Sequence, residues 1–251
     1  MVIMVIEISD FLSRVEASQY SIFTQKFHSS VSKTLKKFNG HIKKKDNNNY
    51  LVSYLSVSDA IQCALKIQYK FKYVTPKHKS FSRRLKIGLS ASKDLNKVGI
   101  TLATRMCEIV KDQLVISDEV KSLYEKANEK AEIDDQLIRA LTLEEEKFLS
   151  DVMDCVESSW VKPDFNVTSF SKALGYSYSQ LYGRLMNLTG KSPNNFIKEF
   201  RLHKALVLLH NQSGSISQIA DKTGFSSPTY FSRCFLKTYG VRPSKYLQQH
   251  T

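Results

Sequence analysis

Paired cysteines are the first thing this sequence lacks. Cys63, Cys107, Cys155 and Cys234 stand far apart, with no CxxC among them. That scatter excludes a disulfide framework and a cysteine-built zinc site, and it fits free thiols in a reducing cytoplasm. The six histidines offer no HxxxH or H-x-E arrangement. His203 and His210 share a helix face, but two imidazoles alone do not make a zinc site. Long apolar runs are missing too, since none approaches the roughly 20 residues that a membrane helix needs. The opening MVIMVI lacks the basic n-region and small-residue cleavage site of a signal peptide, and reads instead as a buried strand. Low-complexity tracts are absent and 42% of residues are hydrophobic, so a folded chain is expected throughout. No metal, no cofactor and no membrane partner are expected.

Acidic side chains are also in short supply. Asp and Glu number 24 against 37 Lys and Arg, a net charge of +13 that points to a polyanionic partner. The distribution says more than the total. Residues 1–126 carry net +11, residues 127–157 net −7 and residues 158–251 net +9. An acidic segment therefore separates two basic blocks. The front block reads as a solvated lysine-rich surface, and the tail as the nucleic-acid binder. At 251 residues the chain is long enough for two domains, each with its own core.

What is present is clearest from Ile216 to Gly240, ISQIADKTGFSSPTYFSRCFLKTYG. Ile216, Ile219 and Ala220 recur at helical spacing, and Gly224 closes that helix where positive φ is needed. Phe225 follows as a core anchor, then Ser227-Pro228 supplies an N-cap with proline at the first helical position. Phe231 and Phe235 lie on one face of the second helix, leaving Pro228, Thr229, Ser232 and Arg233 on the other. A second copy stands about 50 residues upstream. Gly175-Tyr176 answers Gly224-Phe225, Leu181 and Leu185 answer Phe231 and Phe235, and Gly190, Pro193 and Phe196 answer Gly240, Pro243 and Tyr246. Between the copies, Phe200, Leu202, Ala205, Leu206 and Leu209 define a helix of about fourteen residues, roughly 21 Å long. A stiff spacer of that length suits two reading helices set in successive major grooves.

On these residues, positions from about 145 to 251 resemble the DNA-binding domain of AraC/XylS-type transcription regulators. The resemblance implies double-stranded DNA as partner, with RNA polymerase as a further one. Its reading positions fall on Tyr178, Ser179, Tyr182 and Gly183 in the first copy, and on Pro228, Thr229, Ser232 and Arg233 in the second. Gly183 stands where the repeat puts Arg233, so the first copy is expected to read fewer bases. Lys191, Ser192, Arg201, Lys204, Lys237 and Arg242, near helix starts or exposed faces, are the candidates for phosphate contact.

The front half alternates strands and helices. Strands are expected at Val2–Ile8, at 41–45 and 50–54 as a hairpin, at 85–90 and at 114–116. Helices are expected at 18–38, ended by Gly40, then from a cap at Ser58 or Asp59, at 100–110 and from Asp118. The basic stretch 72–84 reads as a loop.

That order, together with Val5-Ile6-Glu7-Ile8-Ser9-Asp10-Phe11, Phe38-Asn39-Gly40-His41, Lys86-Ile87-Gly88-Leu89 and Ala103-Thr104-Arg105-Met106, resembles the class III adenylate/guanylate cyclase catalytic domain. The implied fold class is an α+β domain, the ferredoxin-like cyclase fold with a mixed sheet and helices, followed by an all-α domain of two helix-turn-helix motifs. The expected boundaries are 1–126, an acidic linker at 127–142, and a DNA-binding domain at 143–251 with motifs at about 167–188 and 216–239. The resemblance also implies head-to-tail pairing, hence a homodimer through the front domain. Its catalytic positions fall on Glu7, Lys44, Asn48, Asn96, Thr101 and Arg105, and the set is degenerate. Two metal ions need two carboxylates, and Asn48 offers a neutral amide at the second slot. The front domain is therefore expected to serve dimerisation or ligand sensing without catalysis. The competing expectations are an active nucleotide cyclase and a non-catalytic nucleotide sensor.

Overall fold

Strand β1 (Val2–Ser9) is apolar on both faces, the mark of a strand covered on both sides. Val2, Met4, Ile6 and Ile8 point to one face and Ile3 and Val5 to the other, and all six are buried. The computed structural model describes residues 1–9, 17–46, 49–74, 84–129 and 132–248. Within them the chain divides into two compact units, Met1–Ser150 and Asp151–Thr251.

In the first unit β1 leads through α1 (Ala17–Lys37) to the hairpin β2 (His41–Lys45) and β3 (Asn49–Tyr54), then through α2 (Val57–Val74) to β4 (Arg84–Ala91). The four strands lie in the order β2-β3-β1-β4, each antiparallel to its neighbour, which is a βαββαβ arrangement. α3 (Lys97–Ile109) then crosses to β5 (Leu114–Ile116), and α4 (Asp118–Ala127) to β6 (Arg139–Ala140), both strands parallel to the one before.

One face of this sheet carries the larger core. Phe27, Val31 and Leu35 of α1 recur at four-residue spacing, and Ile61, Ala64, Ile67 and Phe71 of α2 pack beside them on Met4, Ile6, Val52 and Ile87. Each fully buried side chain of this size contributes about 1.5–3 kcal/mol relative to exposure. The other face meets α3, where Ala103 and Cys107 close on Ile3 and Val5. That approach needs Gly88, because a Cβ there would stand 2.2 Å from the Ala103 carbonyl oxygen.

Several boundaries differ from expectation. α2 begins at Val57, so the cap is Ser56, whose Oγ accepts from the Asp59 N–H at 3.1 Å. The turn after α1 uses Asn39 at φ 55 rather than Gly40, and an Asn side chain tolerates that region. Residues 72–74 are helical, and the rest of the expected loop up to 83 lies outside the described residues. Of 127–142, expected as an acidic linker, the second part supplies β6, and Ile138 joins the main core.

α5 (Leu143–Ser159) was expected to open the DNA-binding domain, yet the division between the units falls inside it. Glu145 pairs with Arg139 at 2.5 Å, and Glu146 accepts from the Asp118 N–H at 2.6 Å. The first two turns of α5 thus belong to the first unit.

The second unit continues with α6 (Val167–Leu174), α7 (Tyr178–Thr189), α8 (Pro193–His210), α9 (Ile216–Lys222), α10 (Pro228–Tyr239) and α11 (Pro243–Gln248). α8 has 18 residues, about 27 Å, and is longer than expected because Ser192 and Pro193 start it well before Phe200. Its core is aromatic. Phe165 meets Phe170, Phe170 stacks on Phe196, and Phe231, Phe235 and Tyr239 form a run along α10.

Candidate nucleic-acid interface

Each helix pair of the second unit is built by the same local rules. Asn166, Ser177 and Ser215 close capping boxes with Ser169, Gln180 and Gln218, so three of the helices start where their side chains dictate. Ser227 caps α10 by accepting from Tyr230, with Pro228 behind it. The turn between α9 and α10 depends on Gly224, at φ +74. A Cβ at this residue would also stand 2.7 Å from the Trp160 carbonyl oxygen and 2.9 Å from Arg201 Nε. Only glycine satisfies both constraints.

These turns leave one side of each second helix buried and the other in solvent. Leu181 and Leu185 of α7 are inaccessible, as are Phe231 and Phe235 of α10. Tyr178, Ser179, Tyr182 and Gly183 are exposed on α7. On α10, Thr229 and Arg233 are exposed while Pro228 and Ser232 are half-buried. The eight expected reading positions thus fall on the faces opposite the core. Tyr230 was not among them, yet it is exposed and its ring lies under the Arg233 guanidinium at 5.5 Å. Its place three residues before Arg233 was the available signal, since i and i+3 side chains meet on a helix.

The phosphate candidates separate. Lys237 and Arg242 are exposed. Lys204 lies over the Phe200 ring at 5.0 Å, and Lys191 pairs with Glu199 at 2.8 Å. Ser192 Oγ caps α8 by accepting from the Asn195 N–H. Arg201 has partners inside the unit. Its Nε donates to the Trp160 carbonyl at 2.8 Å, and Nη2 to those of Lys162 at 2.7 Å and Phe165 at 3.1 Å. That guanidinium ties down the 160–165 turn, and partial burial lowers its pKa from the ordinary value.

In the first unit, five of the six expected catalytic positions fall among the described residues. Glu7 stands between Asn49 and Lys86 in register, on the face that α3 covers. Burial pushes its pKa up to about 7, helped by the Glu108 and Asp46 carboxylates and opposed by Lys86. Lys86 itself donates to the carbonyls of Val110 and Asp112. Lys44 is exposed on β2, whereas Asn48 lies outside the described residues, as do Asp10 and Phe11. Asp46 accepts from the Asn49 N–H at 2.7 Å and holds the hairpin turn. Asn96 caps α3, its Oδ1 accepting from the Gly99 N–H at 2.9 Å, so it is a structural residue here. Thr101 is half-buried, and Arg105 is buried with Nη1 donating to the Ser150 carbonyl at 3.4 Å. Glu7 and Asp46 are thus carboxylates of this region, the first mostly buried and the second exposed at the hairpin turn.

A family model described as a helix-turn-helix domain matches residues 170–249. Among curated proteins, "Histidine kinase P4" of Formosa agariphila is 37% identical over 107 residues, covering 43% of this chain and 8% of its own length. "HTH-type transcriptional regulator MtrA" of Neisseria gonorrhoeae is 32% identical over 98 residues, covering 39% of this chain and 31% of its own. The tail is an AraC-type helix-turn-helix domain. The chain spans about a third or less of the length of these relatives. Among solved structures, an AraC-type regulator from Chromobacterium violaceum is 26% identical, covering 41% of this chain and 90% of that one, with a TM-score of 0.38. The catalytic core of a rhodopsin-guanylyl cyclase in complex with ATPalphaS is 20% identical, covering 49% of this chain and 80% of that one, with a TM-score of 0.39. Within the AraC-type domain, α7 and α10 are the two second helices of the repeated motif.

Proposed function

We propose that this protein is a cytoplasmic, sequence-specific DNA-binding transcription regulator. Its AraC-type domain reads double-stranded DNA through Tyr178, Ser179, Tyr182, Gly183, Pro228, Thr229, Ser232 and Arg233. The observation that carries this reading is the division of α7 and α10 into a buried apolar back and a short polar front. The basic tail supports it, since phosphate neutralisation supplies most of the non-specific affinity of such domains. Lys237 and Arg242 remain the best phosphate contacts. A regulator bound beside a promoter acts on RNA polymerase, which is the protein partner this reading implies.

For the first unit we propose a ferredoxin-like cyclase fold that has lost catalysis and pairs with a second copy to make a homodimer. The βαββαβ order supports the fold, and the state of Glu7, Asp46 and Asn96 argues against turnover. Incubation of the full chain with ATP or GTP and Mn²⁺, read by mass spectrometry, should yield no cyclic nucleotide above a Glu7→Ala control. Turnover above that control would sink the non-catalytic reading. Selection of genomic DNA fragments by the full chain tests the regulator. A defined set of fragments, retained against excess competitor DNA, is the expected result, and uniform retention would overturn it.

A further inference from the structure

The two recognition helices come from one repeated pattern and share a buried back, but their fronts differ in chemistry. On α10 the Arg233 guanidinium stands 5.5 Å from the centroid of Tyr230, a ring 45% exposed. Stacking engages the flat face of a guanidinium and orients its N–H edge, the edge that pairs with guanine O6 and N7. On α7 the equivalent position is Gly183, where a Cβ would meet nothing within 4 Å. The adjacent cation is drawn aside, with Arg184 lying 5.0 Å from the Tyr176 ring at the turn before the helix. What α7 offers in its place is a pair of rings. Tyr178 and Tyr182, one turn apart, are 54% and 41% exposed with centroids 6.1 Å apart. The C5 methyl of thymine is the apolar group that a base pair shows in the major groove, and it is met by apolar side-chain surface.

We propose that the two helices divide the operator by chemistry, with α10 taking a guanine edge through Arg233 and α7 taking thymine methyls through Tyr178 and Tyr182. Gly183 is the residue that sets the difference. The inference rests on the DNA-reading function proposed above and deepens it. The recognised duplex then has a G·C-anchored element and a T-rich element about one helical turn, roughly 10 base pairs, apart.

The probe is a duplex selected by the full chain from a pool of randomised DNA. Both elements should be enriched. Replacing the thymines of the T-rich element by deoxyuridine removes only methyl groups, and should weaken wild-type binding about tenfold. A Tyr178→Ala, Tyr182→Ala chain should bind the two duplexes alike. Gly183→Arg, which has room for its side chain, should gain a preference of about tenfold for guanine in that element. The deoxyuridine comparison uses the wild-type chain alone, so it stands even if a variant folds poorly. If deoxyuridine has no effect while Arg233→Ala still weakens binding, the division is wrong and DNA reading survives. A Gly183→Arg chain that folds but gains no guanine preference removes Gly183 from its role. If no sequence is enriched, both the division and the DNA-reading function fall.

Discussion

The two compact units treat their chemistry-bearing residues in opposite ways. In the first, polar groups are engaged within the unit: Asn96 caps α3, Asp46 holds a hairpin, and the buried Arg105 donates to the Ser150 carbonyl. In the second, Tyr178, Tyr182 and Arg233 stand in solvent on helices whose backs are fully covered. A side chain hydrogen-bonded to its own backbone must give up that bond to meet a ligand, whereas an exposed one on a rigid helix is available at small entropic cost. The difference predicts two classes of mutant. Changes in the first unit should move stability and leave DNA affinity alone, and changes on the fronts of α7 and α10 should do the reverse.

The largest expected effect is at Glu7. Its folded-state pKa of about 7 lies above the ordinary 4.5, so the folded state binds more protons between those values. Stability therefore falls as pH rises through that window, by up to about 3 kcal/mol. Glu7→Gln should match wild type near pH 4 and exceed it near pH 8 in thermal melts, with unchanged DNA affinity. Equal pH profiles would mean that Glu7 is more hydrated than the structure indicates.

Arg201 comes next and sharpens the contrast inside the second unit. Arg201→Ala removes three charge-assisted bonds to backbone carbonyls and should lower stability by about 2 kcal/mol, measured by chemical denaturation. The slope of log affinity against log salt should not change. A loss of about one unit from that slope would make Arg201 a phosphate contact.

For Arg233→Ala the expectation is a loss of about 1–3 kcal/mol in specific binding, with the melting temperature nearly unchanged. A stability loss without an affinity loss would place Arg233 with the structural residues and erase the contrast between the units. The smallest effect is at Asn96, where replacement by Ala should cost about 1 kcal/mol of stability through the lost cap. Binding isotherms for this variant should overlay those of wild type.

Much of the tail was legible because its signals are local. The cap at Ser227, the positive φ of Gly224 and the four-residue spacing of Phe231 and Phe235 each act within about one helical turn. The same is true of the front strands, where a continuous apolar run set β1 and the hairpin residues set β2 and β3. Two-residue β6 was not legible. Arg139 and Ala140 carry no alternation of their own, and they are a strand only because β5 lies beside them. The cap of α2 was misplaced by two or three residues for a simpler reason, since Ser56, Ser58 and Asp59 are all competent caps.

The amino-acid sequence by itself determined the repeat and the backs and fronts of α7 and α10. Tertiary structure alone decided which polar groups are occupied. Arg201 finds its carbonyls 36 to 41 residues away, and Arg105 finds Ser150 at a separation of 45. Those partners are backbone atoms, identical in every residue, so no pattern of side chains announces them. They become specific only when packing brings one turn of chain against one guanidinium.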